Sequence, residues 1–177
     1  GVVQAQAAKR DKPLVYIINW RGCEQTCESL LSYFKASKRP VEVVMRDAAQ
    51  SRAAVAGFVS EARRLRPDVM VTWGTEVTIE TVGTYDAVDP AKHITDIPVV
   101  YMYLSGAVQA KVAKSEETTG RRNVAGTDYV VPLTAQVNAM QAYKPFTTMG
   151  MLYDPSQQSS VQRVEELGEL SRTMRYK

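Results

Sequence analysis

The chain has 177 residues, 45% hydrophobic and 23% charged, an ordinary globular composition long enough for one domain or one and a half. Its net charge of +3 comes from scattered groups such as Lys9-Arg10, Arg63-Arg64 and Arg121-Arg122. They form no basic stripe with interleaved aromatics, which argues against a nucleic-acid partner, and no apolar run reaches the roughly 18 residues that would cross a bilayer.

The N-terminus reads Gly1-Val2-Val3 and then Ala5-Gln6-Ala7-Ala8-Lys9, a small-x-small pattern like a signal-peptidase site. Residues 1–12 read as a signal-peptide remnant or as an Ala/Gln-rich leader, and these residues alone leave both open. Residues 14–18 (LVYII), 41–45 (VEVVM), 68–73 (DVMVTW) and 97–104 (IPVVYMYL) are short, β-branched apolar runs. Such runs suit strands covered on both faces. Helices are predicted between them. Residues 23–37 place Leu30, Leu31 and Phe34 on one side, and residues 51–65 place Val55, Phe58, Val59, Ala62 and Leu65 at helical spacing. Residues 75–88 form a third helix. Residues 111–123 (KVAKSEETTGRRN) are polar, show no core face and read as a surface loop. Residues 124–131 read as extended, 134–143 as a helix, and 149–153 as a strand that enters Asp154-Pro155-Ser156 and a long helix capped by Ser156. This alternation predicts an α/β fold, a parallel sheet with helices on both faces.

In such sheets ligands sit beyond the carboxyl ends of the strands. That rule selects Asn19-Trp20-Arg21-Gly22, Trp73-Gly74-Thr75-Glu76, Ser105-Gly106 and Asp154-Pro155-Ser156, and of these Trp20, Arg21, Trp73, Gly74, Thr75, Ser105, Asp154 and Ser156 are the candidate ligand-binding residues. The tryptophans are either flat walls for a ligand or partly buried core aromatics. Arg21 could hold a carboxylate through two hydrogen bonds, or stand on the surface. Gly74 lets a ligand approach the backbone, and Thr75 offers a hydroxyl beside helix-start amides.

Cys23 and Cys27 are the only cysteines, an even count suited to an exported protein. In an ideal helix their Cα atoms would lie about 6 Å apart, near the upper end for a disulfide. A distorted first turn would allow the bond, and two reduced buried thiols are the alternative. His93 is the only histidine, and its neighbours Asp89, Lys92 and Asp96 read as a solvated loop. No metal set follows from one histidine and two close cysteines. Nucleophilic catalysis lacks a base, and neither a G-x-G-x-x-G turn nor a Walker-type loop is present. No cofactor and no catalytic residue is expected.

Four segments, in order, resemble the extracytoplasmic substrate-binding proteins of ABC transporters. They are Pro67 to Thr75 (PDVMVTWGT), Asp96 to Tyr101 (DIPVVY), Arg122 to Thr127 (RNVAGT), and Gly150 to Ser156 (GMLYDPS) with Ser159-Ser160. The similarity is to the periplasmic-binding-protein type I-like subgroup related to aromatic amino-acid binders, and it runs from about residue 13 onward. Two departures fall at strand ends. Leu104-Ser105-Gly106 stands where the family carries a Thr-Asp-Pro-like turn, and Glu76 stands where proline follows Gly-Thr.

The resemblance implies two α/β lobes, with residues 13–127 as lobe one and 128–177 as the crossover and an incomplete start of lobe two. A partial lobe would leave a sheet edge open to a second copy or fragment. It further implies a periplasmic or otherwise exported component of an ABC importer that binds a small amino-acid-like or aromatic acid without chemistry and docks on a membrane permease. The alternatives are an extracytoplasmic sensing domain of a signalling receptor and a Rossmann-like enzyme.

Overall fold

The structure, a computed structural model, describes residues 10–129 and 131–174. The leader expected at residues 1–12 falls, up to residue 9, outside the described residues. Five strands, β1 (Leu14–Asn19), β2 (Glu42–Asp47), β3 (Val69–Trp73), β4 (Val99–Leu104) and β5 (Val124–Asp128), form one sheet in the order β2-β1-β3-β4-β5. Every neighbouring pair is parallel. The helices are α1 (Gln25–Ala36), α2 (Arg52–Leu65), α3 (Thr75–Val82), α4 (Leu133–Tyr143) and α5 (Gln158–Met174).

Alternation along β1 divides the core between the two faces. Tyr16 and Ile18 pack with Val55, Val59 and Ala62 of α2 and with Val77 and Val82 of α3. Val15 and Ile17 pack with Cys27, Leu30 and Phe34 of α1 and with Val71 and Trp73 of β3. With both faces covered, the strands can be continuously apolar, which is why their sequences show runs instead of alternation. Ser51 caps α2 by accepting a hydrogen bond from the Ala54 amide at 3.3 Å.

One polar group inside this core is fully engaged. The Tyr16 hydroxyl donates to Glu61 Oε2 at 2.6 Å, and Arg46 Nε and Nη2 donate to Glu61 Oε2 and Oε1 at 2.8 and 2.6 Å. Hydrogen bonds from Arg46, then from Tyr16, lower the Glu61 carboxyl to about 2. Burial, reinforced by the hydrogen bond to Glu61, pushes the Tyr16 phenol well above its ordinary range. The trio joins β1, β2 and α2.

Several sequence expectations are corrected. Residues 149–153 form no strand, and Met151, Leu152 and Tyr153 are exposed. A strand is held by a neighbour's backbone, and none of the five strands pairs with this segment. The helix expected over 75–88 stops at Val82, because Gly83 takes φ +70° and its amide closes the last turn onto the Ile79 carbonyl. Residues 111–123 do contribute to the core: Val112 and Ala113 are buried beside Ala107 and Ala110. His93 is half-buried rather than solvated; its Nδ1 accepts from the Asp89 amide at 2.9 Å, and its ring fills the space beside Gly83.

No helix among the described residues is long and apolar enough to cross a membrane.

Candidate ligand-binding cleft

The chain leaves β1 toward β2 on one side of the sheet, while β3 lies on the other side of β1. Loops after β1 and β3 therefore diverge, and a crevice opens between them, the place where open α/β sheets hold ligands. A cavity of about 240 Å³ occupies it. Its wall from the β1 side is Trp20, Arg21, Gly22 and Glu24; from the β3 side it is Trp73, Gly74, Thr75 and Glu76. Tyr103 and Ser105 close it from β4, Gln50 from the β2–α2 loop, and Gln157 and Ser159 from the start of α5.

The two loops are held together by backbone bonds. The Trp20 amide donates to the Trp73 carbonyl at 3.2 Å, the Gln50 amide to the Trp20 carbonyl at 2.8 Å, and the Gly74 amide to the Met102 carbonyl at 3.0 Å. Gly74 has φ +112° and ψ 162°, a conformation essentially confined to glycine, and a Cβ there would point at Trp20 Cβ, 3.5 Å away. The Thr75 hydroxyl accepts from the Ser105 amide at 3.2 Å, so it ties the end of β4 to the start of α3. The Thr78 hydroxyl donates to the Gly74 carbonyl at 2.7 Å and lies 2.9 Å from the Thr72 hydroxyl. The base of the cleft is thus rigid backbone, with the α3 first-turn amides at its edge.

Aromatic rings form the apolar wall. Trp73 and Tyr103 stack with centroids 6.4 Å apart and planes 15° from parallel, and Tyr103 continues onto Tyr129 at 5.5 Å and 8°. Period-two alternation would put Tyr103 on the same face as buried Tyr101. The β4–β5 register advances from Tyr101↔Gly126 to Leu104↔Asp128, so β4 carries one extra residue. Tyr103 sits in that bulge with φ +57°, and the bulge re-aims its ring over Trp73. Trp20 Nε1 and Asn19 Oδ1 are buried without a hydrogen-bond partner among the described residues.

Of the residues selected from the sequence, Trp20, Arg21, Trp73, Gly74, Thr75 and Ser105 all line this cavity. Arg21 is largely exposed and lies 3.3 Å from Glu24. Asp154 and Ser156 do not line it. Asp154 Oδ1 accepts from the Ser156 amide and hydroxyl at 2.8 and 2.7 Å, and these bonds from Ser156, with one from Gln157, hold the Asp154 carboxyl below its usual range. The Asp154 amide in turn donates to Ser160 Oγ at 2.9 Å. This closed turn sets where α5 starts, two residues after Ser156, and brings Gln157 and Ser159 to the cleft in place of Asp154 and Ser156. Cys23 and Cys27 are joined by a disulfide, with Cα atoms 5.3 Å apart. Cys23 precedes the helix and Cys27 lies in its first turn, which places the two Cα atoms closer than two positions within a regular helix. The bridge fixes the Arg21–Glu24 loop against α1.

Tyr103, Gln157 and Ser159 belong to the cleft but were not among the residues the strand-end rule selects, whereas Glu76, which it reaches, lines the cleft as well. Glu76 and Ser159 were legible as strand-end or helix-start residues; Tyr103 gave no signal, since its place depends on the bulge. Among the described residues no cluster of His, Cys, Asp and Glu could hold a metal ion.

A parallel sheet of this order with a cleft at the diverging ends of β1 and β3 is the architecture of a ligand-holding α/β domain. Residues 34–176 match the family model described as ABC transporter substrate binding protein, and the chain belongs to that family. No curated protein matches it in sequence. Among solved structures it is similar to a conserved domain protein from Vibrio cholerae O1 biovar El Tor at 21% identity and a TM-score of 0.75, covering 93% of this chain and 54% of that one. It is similar also to the ABC domain in complex with L-Trp from Streptococcus pneumonia, at 19% identity and a TM-score of 0.74, covering 92% and 54%. A third is the ligand-free, open structure of a substrate-binding protein with adhesive properties from Clostridium difficile, at 18% identity and a TM-score of 0.63, covering 91% and 54%. The chain therefore spans about half the length of the structures it resembles.

Proposed function

We propose that the protein is the extracytoplasmic solute-binding component of an ABC importer and that it binds a small amino-acid-like or aromatic acid without chemical change. The observation that carries this reading is the cleft itself: stacked Trp73 and Tyr103 beside the Gly74-Thr75 helix start, at the switch point of the sheet. Family membership supports it, and so does the L-Trp held by one structural neighbour. The rings face the apolar part of the solute, while α3 amides and the Thr75 and Ser105 region face its polar end. Residues 13–127 form lobe one and residues 128–177 begin lobe two; closure of the lobes on the solute creates the surface that the permease reads. A cavity of about 240 Å³ is small beside the ~300–1,000 Å³ of complete ligand sites, as one wall of a two-lobed site should be. The Cys23–Cys27 disulfide suits an oxidising, extracytoplasmic setting.

A thermal-shift screen of the full-length protein against amino acids, aromatic acids and small anions tests the reading. At about 100-fold excess over Kd a ligand adds roughly 2.7 kcal/mol of stability, enough to raise Tm by several degrees. Aromatic amino acids are expected to give the largest rise. A flat screen on protein shown to be folded would remove the solute-binding role.

A further inference from the structure

Glu76 carries more information than its place as the second residue of α3 suggests. It is only 4% exposed, yet it lines the cleft. Its Oε1 accepts from the Ser159 amide at 3.3 Å and from the Ser159 hydroxyl at 3.1 Å. Its Oε2 has no hydrogen-bond partner, and no lysine or arginine pairs with it, among the described residues. The one guanidinium at the cleft, Arg21, is turned to Glu24 at 3.3 Å with its side chain 68% exposed. Taking a carboxylate out of water is costly, and buried charges in proteins are therefore ordinarily paired. The positive end of α3 offsets part of that cost, and Ser159 satisfies one oxygen. The other oxygen is left without a partner, and Trp73 and Tyr103 line the same cavity as Glu76.

We infer that Glu76 is the specificity-determining residue of the cleft: its free oxygen receives the protonated primary amine of an aromatic ligand. Aromatic amino acids and arylalkyl amines then bind, and aromatic acids without an amine are rejected. This rests on the proposed solute-binding role and narrows it. The charges agree with it, since the lining holds two carboxylates, Glu24 and Glu76, against the single Arg21. A ligand whose only charge is negative would meet Glu76 with no countercharge to spare, whereas a zwitterion can place its carboxylate at the α3 amides and its amine on Glu76.

Calorimetric titration of the full-length protein with L-tryptophan, tryptamine and indole-3-propionate separates the cases, because the three share a ring and differ in charge. L-Tryptophan and tryptamine are expected to bind, with indole-3-propionate weaker by about tenfold or more. Glu76→Gln keeps an acceptor for Ser159 and should weaken the two amines by about tenfold while leaving indole-3-propionate unchanged or stronger. The wild-type comparison stands even if the variant does not fold. Binding of indole-3-propionate as tight as that of L-tryptophan, or amine affinities unchanged in Glu76→Gln, would overturn the assignment to Glu76 and leave the solute-binding role intact. Failure of all three probes, together with a flat screen, would overturn both.

Discussion

Replacing Gly126 by alanine is expected to destabilise the protein by about 3 kcal/mol and to weaken ligand binding as well. A Cβ at this position would lie 2.2 Å from the Tyr101 carbonyl oxygen and 2.4 Å from two atoms of the Tyr101 ring. Backbone cannot yield as the end of a long side chain can. Tyr101 is 5% exposed within the core, so its ring has nowhere to go. The strain is released by separating β4 from β5, just before the bulge that aims Tyr103. Urea denaturation and calorimetry on the same sample check both parts. An alanine variant with wild-type midpoint and affinity would show that the β4–β5 contact is looser than described.

The second large effect is at Tyr103. Its ring stacks between Trp73 and Tyr129 and lines the cleft, yet its backbone is in the left-handed region and the residue is 47% exposed. Tyr103→Gly removes the ring and relieves a backbone conformation that costs about 1 kcal/mol or more. Ligand affinity should fall by about tenfold, the worth of one aromatic wall, with Tm held or slightly raised. The opposite pattern, a lower Tm with unchanged affinity, would make Tyr103 a packing residue. The strain at Tyr103 is consistent with a side chain kept for binding at some expense of stability.

These two residues also show how far the sequence could be read. The continuous apolar runs of β1 and β3 marked strands covered on both faces, and the rule that ligands lie at strand ends reached Trp20, Trp73, Gly74 and Thr75 without any coordinates. Gly126 and Tyr103 escaped because their roles come from pairing between β4 and β5. A one-residue bulge reverses the face on which every later side chain lies, and alternation in the sequence does not record it. Residues 149–153 failed for a related reason: their pattern is strand-like, but pairing depends on a neighbour's backbone. Glu76 reads locally as an acid favoured at a helix start. Its partner is Ser159, 83 residues away, a contact no local pattern records. Asp154 and Ser156 were selected as site residues, with Ser156 as the helix cap; they close a turn instead, and that turn presents their successors to the cleft.

Tryptophan fluorescence tests the placement of the ligand most directly, since both tryptophans of this chain, Trp20 and Trp73, line the cleft. Titration of the full-length protein with L-phenylalanine, which does not absorb where indole is excited, should change the emission saturably. The change should disappear in the Trp20→Phe, Trp73→Phe double variant while calorimetry still detects binding. Calorimetric binding to the wild-type protein with no change in emission from Trp20 or Trp73 would contradict the account, because the ligand would then occupy another part of the molecule.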